Sequence, residues 1–466
     1  ALSIRQLKER QSADGGFSWF PGGRDSWYIT QYMVEGMGHL DYLGVEGLQQ
    51  SPDVQDIING AVRFIDEEIL EEYLELEERV KEDKAKWSDD HLNHLVIHYL
   101  YARSFYPNIA LPESNQNVLA YYQEQAEKYW LKKGLYEQGL IALALHRAKR
   151  PDAPGKIIKS LKERALQDEE LGMYWKYDRG YFWYQLPIET HALLTELFAE
   201  VTKDEASVQA LKQWLLKHKQ TNNWKTTKAT AAAVYALLSY GDNWILEDQP
   251  VEISFEKGNK KDNRKISEAQ EAAEKGTGYF KVSWDGTNVS NDLSRIKVKN
   301  PNKGIAWGGI YWQYFEQLDK ITTFEETPLQ LKKQLFKEVA SDRGPQLESL
   351  TAGASLKPGD KVMVRIELRV DRPMEYVHMK DMRASGLEPI NVLSQYKWQG
   401  GLGYYESTGD AATNFFFSYL PRGTYVFEYP LRVFHEGDFS NGVTTIQCMY
   451  APEFTSHSEG ERIKIK

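Results

Sequence analysis

One cysteine, Cys448, stands in a chain of 466 residues. That scarcity excludes an internal disulfide framework and leaves the redox compartment open. No run approaches the roughly 20 consecutive apolar residues that a membrane-spanning helix needs, so direct membrane insertion is not expected. Basic residues are outnumbered, 57 Lys and Arg against 67 Asp and Glu, for a net charge of −10. No basic stripe is present to displace condensed counterions, which argues against a nucleic-acid partner. No leader of the secretory type precedes Ala1, and no initiator methionine opens the chain. The first residues, "ALSIRQLKERQ", already carry a helical pattern. The expectation is a piece of a longer protein whose targeting signal is lost with the cut.

What is present describes a soluble globular chain with ample core. Hydrophobic residues make up 41%, charged residues 27% and aromatic residues 13%. The length suggests about three domains at about 150 residues each. Residues 1–246 carry helix signals, with Ile29, Tyr32, Met33, Met37 and Leu40 recurring at helical spacing. From Val251 the period changes to two, in "YFKVSW", "RIKVK", "KVMVRIELRV", "TYVFEYPLRV" and "ERIKIK". Helices followed by strands indicate separate domains rather than an α/β sheet. The boundaries fall at 1–246, 247–326 and 327–466, the second lying within "FEETPLQ". The charged stretch Lys257 to Gly278 reads as an exposed loop or hairpin insertion. The acidic run Asp66 to Lys84 reads as one solvated helix, its stripe formed by Ile69, Leu70, Tyr73, Leu74 and Leu76.

The helical part repeats itself. "RQSADGGFSWFPGGRDSWYITQYMVEGM" is echoed by "KQTNNWKTTKATAAAVYALLSYG" and more loosely by "GMYWKYDRGYFWYQLPIETHALLTELF". Each copy has a turn, an aromatic (Phe17, Trp224 or Trp175) and then a threonine inside a helix start (Thr30, Thr230 or Thr190). Repetition of this kind marks stacked helix pairs that cannot bury their apolar faces singly. The expected fold is an α/α toroid followed by two antiparallel β-sandwich domains, multidomain α then β. Phe17, Trp19, Trp175 and Trp224 would sit in loops folded over one rim, where a buried ring contributes a few kcal/mol, about 2–3. The "TAAA" run would let the last inner helix approach its neighbours closely.

At this point the chain resembles the bacterial alpha-2-macroglobulin family. "QSADGGFSWFPGG", "IETHALLTELF" and "WLLKHKQTNNWKTTKATAAAVYAL" resemble its thioester-domain toroid. "DRPMEYVHMKDMRASGLEPINV", "YLPRGTYVFEYPLRVFHEGDFS" and "CMYAPEF" resemble its last macroglobulin-type β domain. The motifs come in the family's order. The resemblance implies a C-terminal fragment, with the N-terminal part of the toroid missing and residues 247–326 as a CUB- or macroglobulin-like β domain. It implies a broad-spectrum protease inhibitor that entraps proteases by conformational change, not an enzyme. It implies a location in the periplasm or cell envelope, with a lipid anchor conceivable in the full-length protein. Proteases would be its partners. The family's Cys-x-Glu-Gln motif for covalent capture is absent here; it either lies upstream of Ala1 or has been lost. The bait region is absent too. Carried over by matching position, Met449 and Tyr450 would shield a thioester from water; alternatively Met449 packs in its own sandwich.

Other candidates are weighed beside this reading. His91, His94 and His98 share a helical face, and His94 and His98 have the spacing of a helical metal pair. The Glu of the usual motif is missing, so no metal site is expected. A polysaccharide lyase also joins an α/α toroid to β-sandwiches; it would cast His94, Tyr99 and Arg103 around a proton abstraction, with Trp175, Trp183 and Tyr184 as sugar platforms. Glu189, Thr190 and His191 follow Pro187 at a helix start, where an acidic first turn favours the helix dipole; at a toroid mouth they could instead assist thioester chemistry. "QGGLGYYESTGD" has glycines but no strand-to-helix context for phosphate, and reads as a β loop. No catalytic residue and no cofactor is expected.

Overall fold

The computed structural model describes residues 2–45, 48, 50–176, 187–240, 251–273, 279–301, 306, 308–324, 326–342, 344–350 and 355–466. Two compact units emerge: Ala1–Leu216 with Trp224–Ala306, and Lys217–Asn223 with Trp307–Lys466.

The first unit is helical: α1 (Leu2–Arg10), α2 (Trp27–Tyr42), α3 (Pro52–Lys81), α4 (His94–Arg103), α5 (Glu113–Tyr129), α6 (Leu135–Arg147), α7 (Asp152–Arg164), α8 (Pro187–Leu197), α9 (Glu205–Thr221) and α10 (Thr227–Ser239). Local chemistry sets several starts. Ser26, Asn93 and Thr226 cap α2, α4 and α10, each accepting a backbone N–H from the first turn. The even-numbered helices contact one another in succession, α2 on α4, α4 on α6, α6 on α8 and α8 on α10. α10 in turn meets α2, where the Lys228 ammonium donates to Tyr28 Oη at 3.0 Å and the Tyr235 ring stacks on His39 with centroids 3.8 Å apart. These five helices are the apolar ones; α3 and α7 pack outside α2 and α6 with one face each. Of the "TAAA" run only Ala233 is buried; Thr230 and Ala231 are exposed, and the close approach is made by alanines on either side of it. Ala229, Ala233 and Ala236 of α10 are buried with Ile188 and Ala192 of α8.

The opening loop leans on α3 and α2. Gln11 Nε2 donates to the carbonyls of Gly15 and Ile57. Gly15 has φ +92°, and a Cβ there would meet the Gly60 carbonyl oxygen at 2.2 Å, so only glycine fits. Phe17 is buried, and its backbone N–H donates to Thr30 Oγ1 at 2.9 Å.

A two-stranded pair, β1 (Leu166–Asp168) with β2 (Gly172–Tyr174), links α7 to α8. Further on, β3 (Glu252–Phe255) pairs antiparallel with β4 (Ile296–Lys299). A helix, α11 (Lys260–Glu271), stands where a loop is expected. Asn259 caps it, accepting from Lys261 and Asp262, and Ile266 is buried with Phe255 and Leu293. One apolar anchor was enough, because the cap and the charged exposed face supplied the rest. "YFKVSW" forms no ladder; Phe280, Val282 and Trp284 pack against the same small cluster.

The second unit is built from antiparallel sheets. Its strands are β5 (Leu329–Ser341), β6 (Gly344–Ser349), β7 (Ser355–Leu356), β8 (Lys361–Val370), β9 (Met374–Met382), β10 (Leu387–Pro389), β11 (Gln395–Gln399), β12 (Leu402–Thr408), β13 (Ala412–Leu420), β14 (Gly423–Val433), β15 (Gly437–Ser440), β16 (Thr444–Cys448), β17 (Thr455–His457) and β18 (Arg462–Ile465). One sheet runs β10-β14-β8-β5-β6, another β11-β12-β13-β9-β16-β17, and a short third β15-β18-β7 includes a parallel pair. The inward residues of the two large sheets share one core. Val362, Val364, Ile366 and Leu368 supply one side, Phe415, Phe417 and Ile446 the other. Alternation in and out follows the pleat along β8.

Candidate functional site

Five helices of the first unit bring first-turn residues together. Lys228 of α10 donates to Tyr28 of α2 and lies over the rings of Tyr28, Tyr32 and Tyr136, 5.5–5.7 Å from their centroids. His94 of α4 stacks on Tyr136 of α6 and approaches Tyr28. One turn deeper, His98 Nε2 and Glu35 Oε2 lie 2.7 Å apart, both residues buried. Glu189 of α8 is buried, and neither carboxylate oxygen has a hydrogen-bond partner among the described residues; the same holds for the Gln31 side-chain amide.

Each ionisation reflects that burial. Desolvation pushes Glu35 up, but the His98 hydrogen bond and charge, with His39 and Lys228, outweigh it and hold it at about 2. Burial lowers His94 to about 3, helped by His98 and Lys228. Burial lowers Lys228 against the pull of Glu35 and Glu189, and raises Glu189 against the pull of Lys228. Tyr32 is pushed up to about 12 by burial and by Glu35 and Glu189. The cluster is a buried balance of charges, with Lys228 held electrostatically over aromatic faces.

The histidine row divides. His91 precedes α4, its Nε2 2.8 Å from the Lys86 carbonyl oxygen, while His94 and His98 face Tyr28. Among the described residues no group of three or more His, Cys, Asp or Glu side chains is placed to hold a metal ion. Tyr99 and Arg103 point away from His94. Tyr99 donates to Asp66 Oδ1 at 2.6 Å and Arg103 Nε to the same oxygen at 3.0 Å, all three buried. The arrangement cast for proton abstraction is therefore not assembled: two of its members hold α3 to α4. Trp183 and Tyr184 lie outside the described residues.

Of the rim aromatics, Phe17 and Trp175 are buried, the latter donating from Nε1 to the Leu161 carbonyl at 3.0 Å. Trp224 is half-buried against the α8–α10 cluster. Trp19 is 57% exposed, with one face stacked on Tyr28, 5.9 Å between centroids. Glu189, Thr190 and His191 are all buried in α8; His191 stacks on Trp214 at 4.1 Å.

In the second unit, Met449 and Tyr450 follow β16 and are 61% and 78% exposed, so Met449 does not pack inside its own sheets. The Met449 N–H donates to the Tyr376 carbonyl at 2.9 Å, and the Tyr376 and Tyr450 rings meet edge to face at 5.3 Å. Tyr376 has φ +55°, a left-handed conformation that costs a non-glycine residue about 1–2 kcal/mol. It interrupts the in–out alternation of β9, since Met374 and Glu375 are both buried before it. The result is a projecting knuckle of two tyrosines and a methionine, its strained bend held in place by the Met449 hydrogen bond and the ring contact. Cys448, just before it, is buried, its thiol pushed up by desolvation and directed at the Glu375 carbonyl.

Residues 329–453 match the family model described as Bacterial Alpha-2-macroglobulin MG10 domain. An alpha-2-macroglobulin homolog of Nostoc is 22% identical over 473 aligned residues, covering 97% of this chain. The chain is similar to the bacterial alpha-2-macroglobulins. It corresponds to part of their C-terminal region and spans 23% of the Nostoc relative's length. Among solved structures, Escherichia coli alpha-2-macroglobulin activated by porcine elastase is 15% identical, covering all of this chain and 38% of that one, with a TM-score of 0.39. The trypsin-activated Escherichia coli alpha-2-macroglobulin is 14% identical over all of this chain and 29% of that one, TM-score 0.37. The matched MG10 range holds the whole knuckle. Sequence reasoning reached Met449 and Tyr450 through the alpha-2-macroglobulin resemblance but missed Tyr376. It also missed Glu35 and Lys228, whose only sequence signal was charge on an otherwise apolar helix.

Proposed function

We propose that this chain is the C-terminal part of a bacterial alpha-2-macroglobulin-type protease inhibitor that entraps proteases by conformational change. The observation that carries this reading is the MG10 match over residues 329–453. The succession of contacts from α2 to α10, and the return of α10 to α2 through Lys228 and Tyr235, supports an α/α toroid for residues 1–246. A small β domain at 247–326 and a β-sandwich at 327–466 complete the proposed division. Activation by elastase and by trypsin, stated for the Escherichia coli relatives, supports proteases as partners of the longer protein. A periplasmic or envelope location of the longer protein is proposed from the family resemblance in the sequence alone.

Covalent capture is not part of the proposal for this chain, since no Cys-x-Glu-Gln occurs in it and Cys448 lies at the end of a buried strand. Met449 and Tyr450 remain the shielding candidates: exposed, ordered by the Tyr376 backbone and able to cover a reactive acyl group elsewhere in the protein. The reading is tested with the full-length protein mixed with trypsin or elastase. Cleavage of casein should fall while cleavage of a small chromogenic peptide persists, because a trapped protease excludes only large substrates. Equal inhibition of both substrates, or of neither, refutes entrapment. If the longer protein has a thioester, Met449→Ala should speed its spontaneous hydrolysis, and an unchanged rate refutes the shielding role.

A further inference from the structure

The second unit contains a cavity of about 160 Å³ lined by β5, the end of β6 and the segments around Asn441 and Glu461. It is larger than one water requires, about 30 Å³ of liquid volume, and smaller than pockets for drug-sized ligands, about 300 Å³ and upward. Its polar groups are unevenly satisfied. Asn441 is 1% exposed; its Oδ1 accepts the Ala384 N–H, which fixes the amide orientation, and its Nδ2 has no partner among the described residues. An unmatched buried amide donor is destabilising, because its lost hydration is not replaced. Lys333, also buried, spends its ammonium on Asp381 Oδ1 at 2.7 Å and the Met382 carbonyl at 2.6 Å. Asp381 in turn accepts from Thr444 and Tyr429, so this pair forms a fixed floor. Glu461 and Glu459 stand on the wall with no ion pair to a described residue, and burial raises the Glu461 carboxyl against the pull of Lys333.

The cavity lining thus holds one buried donor, Asn441 Nδ2, together with the half-buried carboxylate of Glu461 and the exposed one of Glu459, with exposed Lys332 and half-buried Gln334 beside them. A lone anion would meet the glutamates, and a lone cation would leave Asn441 unmatched. A group carrying an ammonium beside a carbonyl satisfies both sides. We propose that this cavity binds an α-ammonium group together with its adjacent carbonyl oxygen, the ammonium on Glu461 and Glu459 and the carbonyl on Asn441 Nδ2. That chemistry is shared by a peptide amino terminus and a small amino-acid amide. The proposal does not depend on protease trapping.

Titration calorimetry on the 466-residue chain tests it with glycinamide, triglycine and their N-acetylated forms. Saturable binding of a free amine, weakened at least about tenfold by acetylation and by Glu461→Gln, is the expected result. Tighter binding of triglycine assigns the site to peptide termini, and tighter binding of glycinamide to small amines. Glu461 is only partly buried, so its substitution spares the core, and the acetylated ligands test the idea without any mutation. Equal binding of acetylated and free forms, or no saturable heat with either amine, overturns the proposal and leaves water as the partner of Asn441.

Discussion

Single residues in the helical unit set its response to acid. An unfolded histidine takes a proton near pH 6.5, whereas folded His94 resists until about pH 3. Across that window the unfolded chain binds more protons, so stability falls as pH drops from 6.5 towards 3. Glu35 acts in the same direction lower down. Its folded value of about 2 lies below the ordinary 4.5, so its contribution is complete above 4.5 and is lost as pH falls towards 2. His94→Gln should therefore shrink the difference between urea midpoints measured at pH 7 and pH 5; an undiminished difference would show that His94 does not titrate as its burial requires. At Asp66 the issue is pairing. Asp66→Ala leaves the Arg103 guanidinium buried without its carboxylate and should cost about 3–5 kcal/mol, whereas Tyr99→Phe removes one hydrogen bond and should cost about 1–2 kcal/mol. Chemical denaturation separates the two, and equal losses would contradict an ion-pair role for Asp66.

Among the elements, the repeated threonine turned out to carry structure. Thr30 Oγ1 donates to the Ser26 carbonyl and accepts the Phe17 N–H, whereas Thr230 repeats only the first of these, donating to the Thr226 carbonyl. Thr30→Val should lose about 1–2 kcal/mol, since a buried N–H is left unmatched. Thr230→Val, at an exposed position, should change stability by less than about 0.5 kcal/mol. Comparable losses at both sites would mean that the loop tie to Phe17 is unimportant. The strands were the most legible elements. Period two in "KVMVRIELRV" and "TYVFEYPLRV" became β8 and β14, paired residue for residue. "QGGLGYYESTGD" became a hairpin, Gly400 and Gly401 both at positive φ between β11 and β12. Helix faces were read less well. In α2, Met37 of the expected stripe is buried, together with Thr30, Gln31, Val34, Glu35 and Gly38, whereas Ile29, Tyr32 and Met33 are half-buried and Leu40 is exposed. A helix packed on several neighbours buries more than one stripe, and here Glu35 meets His98 and Thr30 accepts the Phe17 N–H. In α3, Leu74 is exposed and Asp66 buried, a swap that no periodicity shows.

For the molecule as a whole, the two largest cores among the described residues are one spread through the helices and one between the large sheets, with smaller clusters at α8–α10 and around Phe255. Phe427, 2% exposed among Tyr404, Phe415 and Phe417, is central to the second. Phe427→Ala should cost about 3–5 kcal/mol, and hydrogen exchange should rise in β8, β13 and β14 while α4 and α6 keep their protection. Uniform loss throughout the chain would instead mean that the two units unfold as one.

The order of helices before strands and the threonine at the starts of α2 and α10 were written in the sequence, because period and turn chemistry are local properties of the backbone. The resemblance also pointed to Met449 and Tyr450. Only the fold decided that Lys228 would meet Tyr28 some 200 residues earlier, that Arg103 and Tyr99 would serve Asp66 instead of a substrate, and that Tyr376 would lie under Tyr450 in a left-handed bend. Each of those depends on which buried charge finds which partner. Desolvation makes that choice after the helices and strands are assembled, and no sequence spacing records it.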